Sequence, residues 1–412
     1  NENKIFRVVL NDKINYLDIS EIVGKNIQED ILRRDFTINA IAYDLEKDEF
    51  VDITGGMEDL KNKKLRPVRE ENFKDDPLRI LRAFRFLSTT GFEMTEELQE
   101  GITKYLPLAT EPAKERIHYE LMKLFGGKYC AETLLLMDNF GILEQLFPCV
   151  RELKLVPPNT HHHLDLFHHV IETVRNIELL YESLPPEGKK HMDSVDFGGF
   201  SRINHLKLAG FLHDIGKYST WTIENGKCDR FDCLYNKPEC SECDARHRFI
   251  KHDEVGSKMC VPILRELKFS KRQIDYISNM IKHHIYPSNV LAAPDLSDKV
   301  MMRYLRKMEN NVIDNIILAK ADRLSARGPA ITDEMVKSNL EGLDKLLNFY
   351  FEKKDTLKPL PKLIDGHEIM QMRGIPQSPL LGEIITLLRE AQYNGDITTR
   401  EEAELFIKNY PL

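Results

Sequence analysis

The chain changes its periodicity once, and that change limits what it can become. Ile5-Phe6-Arg7-Val8-Val9-Leu10, the polar Asn11-Asp12-Lys13 and then Ile14–Ile19 read as a β-hairpin. A lone hairpin is marginal in water, so this one needs sheet neighbours. From about Asp75 onward the pattern is helical. Asp76-Pro77 predicts a capping carboxylate followed by proline in the first helical turn. Glu115–Phe125 carries Ile117, Leu121, Leu124 and Phe125 on one face and stops at Gly126-Gly127. Strand pattern at one end and helix pattern over the rest predict an α+β protein. Breaks fall at Pro148, Pro157 and Pro158, in a polar Pro- and Gly-rich stretch over 182–199 that reads as a loop insertion, and in a linker at Leu357-Lys358-Pro359-Leu360-Pro361. They divide the chain into 1–60, 61–150, 151–350 and 351–412. No apolar run approaches the roughly 18–20 residues of a membrane span.

The net charge of −8 argues against a protein that coats nucleic acid non-specifically. Phosphate contacts depend on local charge, however, and Lys61–Thr90 holds nine Lys/Arg against four Asp/Glu. Seven cysteines in 412 residues do not make a disulfide scaffold. Cys228, Cys233, Cys240 and Cys243 are spaced C-x4-C-x6-C-x2-C in a segment, 226–246, without helical or strand periodicity. The last pair is a common zinc half-site, and a structural Zn²⁺ would supply the folding energy the segment lacks. An iron–sulfur cluster and a disulfide pair are the alternatives.

The segment Leu32-Arg33-Arg34-Asp35-Phe36-Thr37-Ile38-Asn39-Ala40-Ile41-Ala42 carries more chemistry than any other. Guanidinium groups match phosphate oxygens in bidentate fashion, and an acid and an amide can bond sugar hydroxyls. Asp76 and Arg79 share a helix face and offer an acceptor and a donor fork, enough to pair with a base edge. Asp76 can also serve simply as the helix cap. Arg79, Arg82 and Arg85 form a three-spaced basic stripe.

Together these segments resemble class II tRNA nucleotidyltransferases/poly(A) polymerases. Arg33–Ala40 is similar to the RRDxxxNA motif, Asp52 with Gly55-Gly56 to the flexible-loop motif, and Asp76–Arg79 to the EDxxR motif, with Asp75 in place of the usual Glu. Glu115-Arg116 resembles the motif that braces the following helix. The resemblance implies that Arg33, Arg34, Asp35, Asn39, Asp76, Arg79, Arg82 and Arg85 bind nucleotide, with Asp76 and Arg79 selecting ATP and CTP by the base edge. It implies Mg²⁺-dependent transfer to a tRNA 3′-hydroxyl in the cytoplasm. Asp18 stands where the family places a strand carboxylate. The family's GGxVRD and DxD segments are not in this sequence, so the expectation is weak ATP binding without turnover by these 412 residues alone.

A second constellation follows. Leu212-His213-Asp214-Ile215-Gly216-Lys217 resembles the signature of HD metal phosphohydrolases, and His169, His252, then His283 or His284, and Asp322 stand in that family's order. Imidazole and carboxylate suit a divalent transition metal, whose bound water becomes a nucleophile near neutral pH. His213 and Asp214 would be the catalytic pair, and six ligands permit two ions. His161, His162, His163 and His168 remain unassigned. Leu363–Met370, Gly374-Ile375-Pro376 and Leu381–Ile384 resemble the final helical region of HD-bearing nucleotidyltransferases, which implies tRNA contact. The resemblance thus implies a partial nucleotidyltransferase sheet followed by helical neck, HD and tail regions. The alternatives are a stand-alone HD phosphohydrolase and a non-catalytic RNA-binding protein.

Overall fold

The computed structural model describes residues 5–10, 16–224, 246–293, 295–357 and 360–411. The hairpin forms as expected. Ile5–Val9 pairs antiparallel with Tyr16–Ser20, with Arg7 opposite Asp18. Phe6, Val8, Val9, Leu17 and Ile19 are all exposed on it. Two more short ladders follow: Ala42–Asp44 with Glu49–Val51, antiparallel, and Lys64–Leu65 with Glu93–Met94, parallel. The rest is largely helical. No helix among the described residues is long and apolar enough to cross a membrane.

The chain forms two compact units. The first comprises 1–151 with 195–205 and 262–274; the second comprises 152–194 with 206–261 and 275–412. One boundary between the units falls between Arg151 and Glu152. The short stretches 195–205 and 262–274, which the sequence groups with the HD region, pack with the first unit.

In the first unit, helix Leu78–Thr90 turns Leu78, Ile80, Leu81, Ala83, Phe84 and Leu87 inward. It packs against helix Lys114–Phe125, whose Ile117, Leu121, Met122 and Phe125 are buried. Three-residue spacing leaves Arg79, Arg82 and Arg85 on the opposite side. Phe36 is fully buried in an isolated bridge to Pro67. This burial holds the Arg33–Asn39 segment beside the arginine face.

In the second unit, helix Leu166–Glu182 packs along helix Val312–Ser325, burying Val170, Val174 and Ile177 on one side and Ile313, Ile316 and Ile317 on the other. The expected loop over 182–199 contains a helix, Pro186–Met192. Proline occupies its first turn, Met192 is fully buried, and His191 Nε2 lies 2.6 Å from Oδ2 of buried Asp314. Those anchors override the polar composition. Trp221–Glu224 and Arg246–Phe249 pair antiparallel. Cys228, Cys233, Cys240 and Cys243 lie outside the described residues. The last helices, Gly366–Arg373, Pro379–Asn394 and Arg400–Asn409, enclose their own core of Ile364, Ile369, Ile384, Leu388, Ala403 and Ile407. Capping boxes at Asp365/Glu368 and Thr399/Glu402 set two of their starts.

Candidate functional site

A cavity of about 570 Å³ in the first unit is lined by Arg33, Arg34, Asp35, Asn39, Asp76, Arg79, Arg82, Arg85, Phe86 and Arg116. Six arginines face only two aspartates there, a surplus that favours a polyanion. Buried acids hold the arginines in place. Asp30 takes Arg33 Nε at 3.0 Å and Arg34 Nη2 at 3.2 Å. Asp35 accepts from Arg82 Nε at 2.7 Å, from Asn39 Nδ2 at 3.1 Å and from the Phe36 amide at 2.8 Å. Glu120, only 3% exposed, lies 2.9 Å from Arg85 Nε and 3.6 Å from Arg82 Nη1. Arg79 donates to the carbonyls of Asn72 and Arg33, at 2.8 and 2.6 Å.

Asp76 does two jobs. Its Oδ1 accepts the Leu78 amide at 3.3 Å, as a cap should, and its two oxygens take Arg116 at 3.2 and 2.8 Å. Its partner is thus Arg116, which the resemblance marked only as a brace. Asp35 faces inward as the acceptor for Arg82. Asp18 is not among the cavity's lining residues; it is exposed and bonded by Arg7 at 2.7 and 2.8 Å. Glu120 carried a readable signal, an acid on the same face as Ile117, Leu121 and Leu124. Asp30 carried none.

The second unit brings His169, His213, Asp214, His252, His284 and Asp322 together from separate elements. His169 lies on helix Leu166–Glu182 and Asp322 on helix Val312–Ser325. His213 and Asp214 occupy the turn after helix Arg202–Leu212, His252 opens helix His252–Glu266, and His284 follows helix Lys271–His283. Donor atoms of His169, His213 and Asp214 lie within 4.8 Å of one another, as do those of Asp214, His252 and His284, of His213, His284 and Asp322, and of His162, His169 and Asp322. His283 stands outside the cluster, its ring centroid 5.9 Å from that of Tyr286. Gly216 makes the turn possible: a Cβ there would sit 2.1 Å from the His252 carbonyl oxygen.

The hydrogen bonds aim the rings. Nδ1 of His213, His252 and His284 each lies 2.7 Å from a carbonyl oxygen, those of Gly210, Phe249 and Ile281. A carbonyl accepts only, so each Nδ1 carries the proton and each Nε2 faces the centre. Nε2 of His252 and Nε2 of His284 then meet at 3.2 Å. Burial pushes His252 down and His284 down to about 3, so both rings are neutral at pH 7. Two lone pairs facing at that distance repel unless a cation stands between them. His169 Nε2, His213 Nε2 and Asp214 Oδ1 are buried without a hydrogen bond, which is costly unless a charged ligand completes the site. The donor set therefore fits a divalent metal.

The surrounding charges fit as well. Burial disfavours the Asp214 carboxylate, but His213 and Lys217 outweigh it and hold the carboxyl well below the usual range. Lys217 Nζ lies 2.6 Å from Asp214 Oδ2. Burial likewise opposes a charged His213, but Asp214 and Asp322 push its pKa up to about 10. A metal must displace that proton.

Three stretches of the chain match known family descriptions. The family description "Poly A polymerase head domain" matches residues 6–66, "Probable RNA and SrmB- binding site of polymerase A" matches 91–153, and "HD domain" matches 166–327. The chain is 29% identical over 393 residues to the A-adding tRNA nucleotidyltransferase of Deinococcus radiodurans, covering 93% of this chain and 80% of that one. It is 28% identical over 407 residues to the CC-adding tRNA nucleotidyltransferase of Thermus thermophilus, covering 98% and 81%. The crystal structure of the Bacillus stearothermophilus CCA-adding enzyme in complex with CTP shares the fold, with a TM-score of 0.51 at 18% identity over 98% of this chain and 81% of that one. A head, an RNA-binding region and an HD region in this order define a class of tRNA nucleotidyltransferases. The chain belongs to that class, the class II tRNA nucleotidyltransferase/poly(A) polymerase family. Such a head and an HD region both imply divalent metal ions.

Proposed function

We propose that this protein extends tRNA 3′ ends, adding CCA, CC or A from CTP and ATP with release of pyrophosphate, and that its HD region is a separate metal-dependent phosphohydrolase. The arginine-lined cavity carries the first part. Arg33, Arg34, Arg82 and Arg85 bind the triphosphate, Asp76 and Arg79 read the base edge, and Asn39 meets the ribose. Asp35, Asp30 and Glu120 fix the arginines beforehand, so that little side-chain freedom is lost on binding. The tail helices contact tRNA. A cytoplasmic place of work goes with this reading.

Such a transfer would draw on Mg²⁺ for activation of the RNA hydroxyl and charge neutralisation at the triphosphate. Among the described residues no group of acids gathers around Asp18, and Arg7 occupies both of its oxygens. One carboxylate is a poor anchor for an ion that demands near-ideal octahedral geometry. Asp18 alone does not fit a Mg²⁺ site. A structural Zn²⁺ on Cys228, Cys233, Cys240 and Cys243 rests on spacing alone; elemental analysis tests it.

In the HD region, His169, His213, Asp214, His252, His284 and Asp322 would hold a divalent transition metal, or two. Bound there, such a metal supplies Lewis-acid activation of water for attack on a phosphate ester. The chain's own part is to aim neutral Nε2 atoms inward and to hold Asp214 ionised. Phosphomonoesters, cyclic nucleotides and RNA terminal phosphates are the substrates to try, with Asp214→Ala as the variant that loses turnover.

The deciding experiment uses protein expressed from its native gene, tRNA lacking its 3′ end, Mg²⁺ and labelled CTP and ATP. Incorporation that disappears in Arg82→Ala is the expected result. Incorporation of neither nucleotide sinks the transferase reading, whatever the HD region hydrolyses.

A further inference from the structure

We infer that His162 is a metal ligand, and that with His169 and Asp322 it forms a seat for one ion separate from the seat on Asp214, His252 and His284. The inference rests on the reading of the HD region as a divalent-metal centre, and it adds a residue and a loop to that centre. Donor atoms of His162, His169 and Asp322 lie within 4.8 Å of one another, and so do those of Asp214, His252 and His284. The two groups share no residue. A centre with two disjoint groups of three donors has room for two ions, with His213 near both carboxylates: its Nε2 is 3.2 Å from Asp214 Oδ2 and 3.7 Å from Asp322 Oδ1.

His162 is prepared in the same manner as the other rings. Its Nδ1 lies 3.2 Å from Asn159 Oδ1, and that oxygen also accepts the amides of His161 and His162 at 2.9 and 3.1 Å. An amide oxygen that gathers donors leaves Nδ1 as the protonated nitrogen and frees Nε2 for a metal. The His162 ring meets the His169 ring edge-on, with centroids 4.7 Å apart and planes at 88°. Lys217 Nζ stands 3.4 Å from His162 Nε2 and 2.6 Å from Asp214 Oδ2. An ammonium group thus occupies the lone pair and the carboxylate that a metal ion would otherwise satisfy.

The loop that carries His162 is fastened to the segment leaving the Asp322 helix. The Gly328 amide donates to the His161 carbonyl at 2.9 Å, and the Ala330 amide donates to the Thr160 carbonyl at 2.8 Å. A Cβ on Gly328 would sit 2.4 Å from the His161 carbonyl carbon, 2.5 Å from the Thr160 carbonyl oxygen and 2.6 Å from the His162 amide nitrogen. Backbone of that kind cannot step aside as a flexible side chain does. Gly328 therefore sets how closely the His162 loop approaches Asp322, although it donates nothing to the ion itself.

Co²⁺ is the probe. The full chain is stripped with chelator and titrated, with heat and visible absorption as readouts. Counts are taken as the difference between variant and wild type, so that any ion held elsewhere cancels. His162→Ala should bind one Co²⁺ fewer, or bind its weaker ion about tenfold or more less tightly, with a loss of visible absorption. Gly328→Ala should weaken the same ion without removing a donor. His163→Ala, the exposed neighbour, should match wild type. If His162→Ala fails to fold, Asn159→Ala, which frees Nδ1, takes its place with the same expectation. Unchanged stoichiometry, affinity and spectrum in His162→Ala, or in Asn159→Ala where that stands in, overturn the inference. Wild type that takes up no Co²⁺ overturns the metal-centre reading as well, a distinguishable outcome.

Discussion

Replacing Asp214 by Asn removes one charge from a site where the structure surrounds it with cations and rings. Lys217 Nζ lies 2.6 Å from Oδ2, and Nε2 of His213, His252 and His284 lies 3.2, 3.3 and 3.6 Å from the nearer oxygen. In the metal-free protein the largest consequence falls on His213, whose pKa stands at about 10 because of Asp214 and Asp322. The unfolded reference is about 6.5, so at pH 7 roughly three units of the shift stabilise the fold, about 4 kcal/mol at ~1.4 kcal/mol per unit. Asp322 remains at 3.7 Å and retains part of that. Loss of the Lys217 partner acts in the same direction, since a buried charge left unpaired costs about 3–5 kcal/mol, whereas relief of the carboxylate's own desolvation, on the order of several kcal/mol, acts in the other. The expected net loss for Asp214→Asn at pH 7 is about 3–5 kcal/mol. Its pH dependence carries the diagnosis. A histidine whose folded pKa is raised contributes fully below its unfolded value and stops contributing once pH passes the folded value. The gap between wild type and variant should therefore narrow as pH rises from 6.5 towards 10. His284, held near 3 by burial, stays neutral in both folded proteins between pH 6 and 10, so it drops out of the comparison there. The chain has one tryptophan, Trp221, in the second unit. Its emission in urea, with chelator present, follows this unit alone. With m at about 2 kcal/mol per M, the midpoint should fall by roughly 2 M at pH 7. A gap of equal size at pH 6 and pH 9.5 would refute the assignment of the His213 proton to Asp214.

Gly216→Ala places a Cβ 2.1 Å from the His252 carbonyl oxygen; it should cost about 1–3 kcal/mol and weaken Co²⁺ binding about tenfold or more, read by urea unfolding and titration. Glu120→Gln leaves Arg85 and Arg82 without their buried carboxylate; about 1–3 kcal/mol of stability should go, and the KM for triphosphate should rise more than kcat falls. Arg79→Ala should blur the preference for ATP and CTP over GTP and UTP by about 1–3 kcal/mol in competition assays, while unchanged discrimination would leave Asp76 as a cap and partner of Arg116.

The residues that carry their own local chemistry were legible without coordinates. Arg33-Arg34-Asp35, the three-spaced Arg79, Arg82 and Arg85, and His213-Asp214 state what they can bind by type and spacing, because helical periodicity alone puts them on one face or one turn. The hairpin and the α+β division followed from the same periodicities. What the tertiary structure decided is which of several equal candidates faces the centre. His283 and His284 are neighbours of one type, and only the end of helix Lys271–His283 turns His284 inward, with Nδ1 on the Ile281 carbonyl, while the His283 ring goes beside Tyr286. His162 was one of three consecutive histidines until the loop at Asn159 and the backbone of Gly328 chose it. The helix Pro186–Met192 read as loop because its anchors, Met192 in the core and His191 on Asp314, lie far away in sequence. That Asp35, a cavity-lining acid, would also take Arg82, 47 positions away, was not readable from its neighbours. Type and spacing are local properties of the chain; burial and direction depend on contacts that close only when distant segments meet.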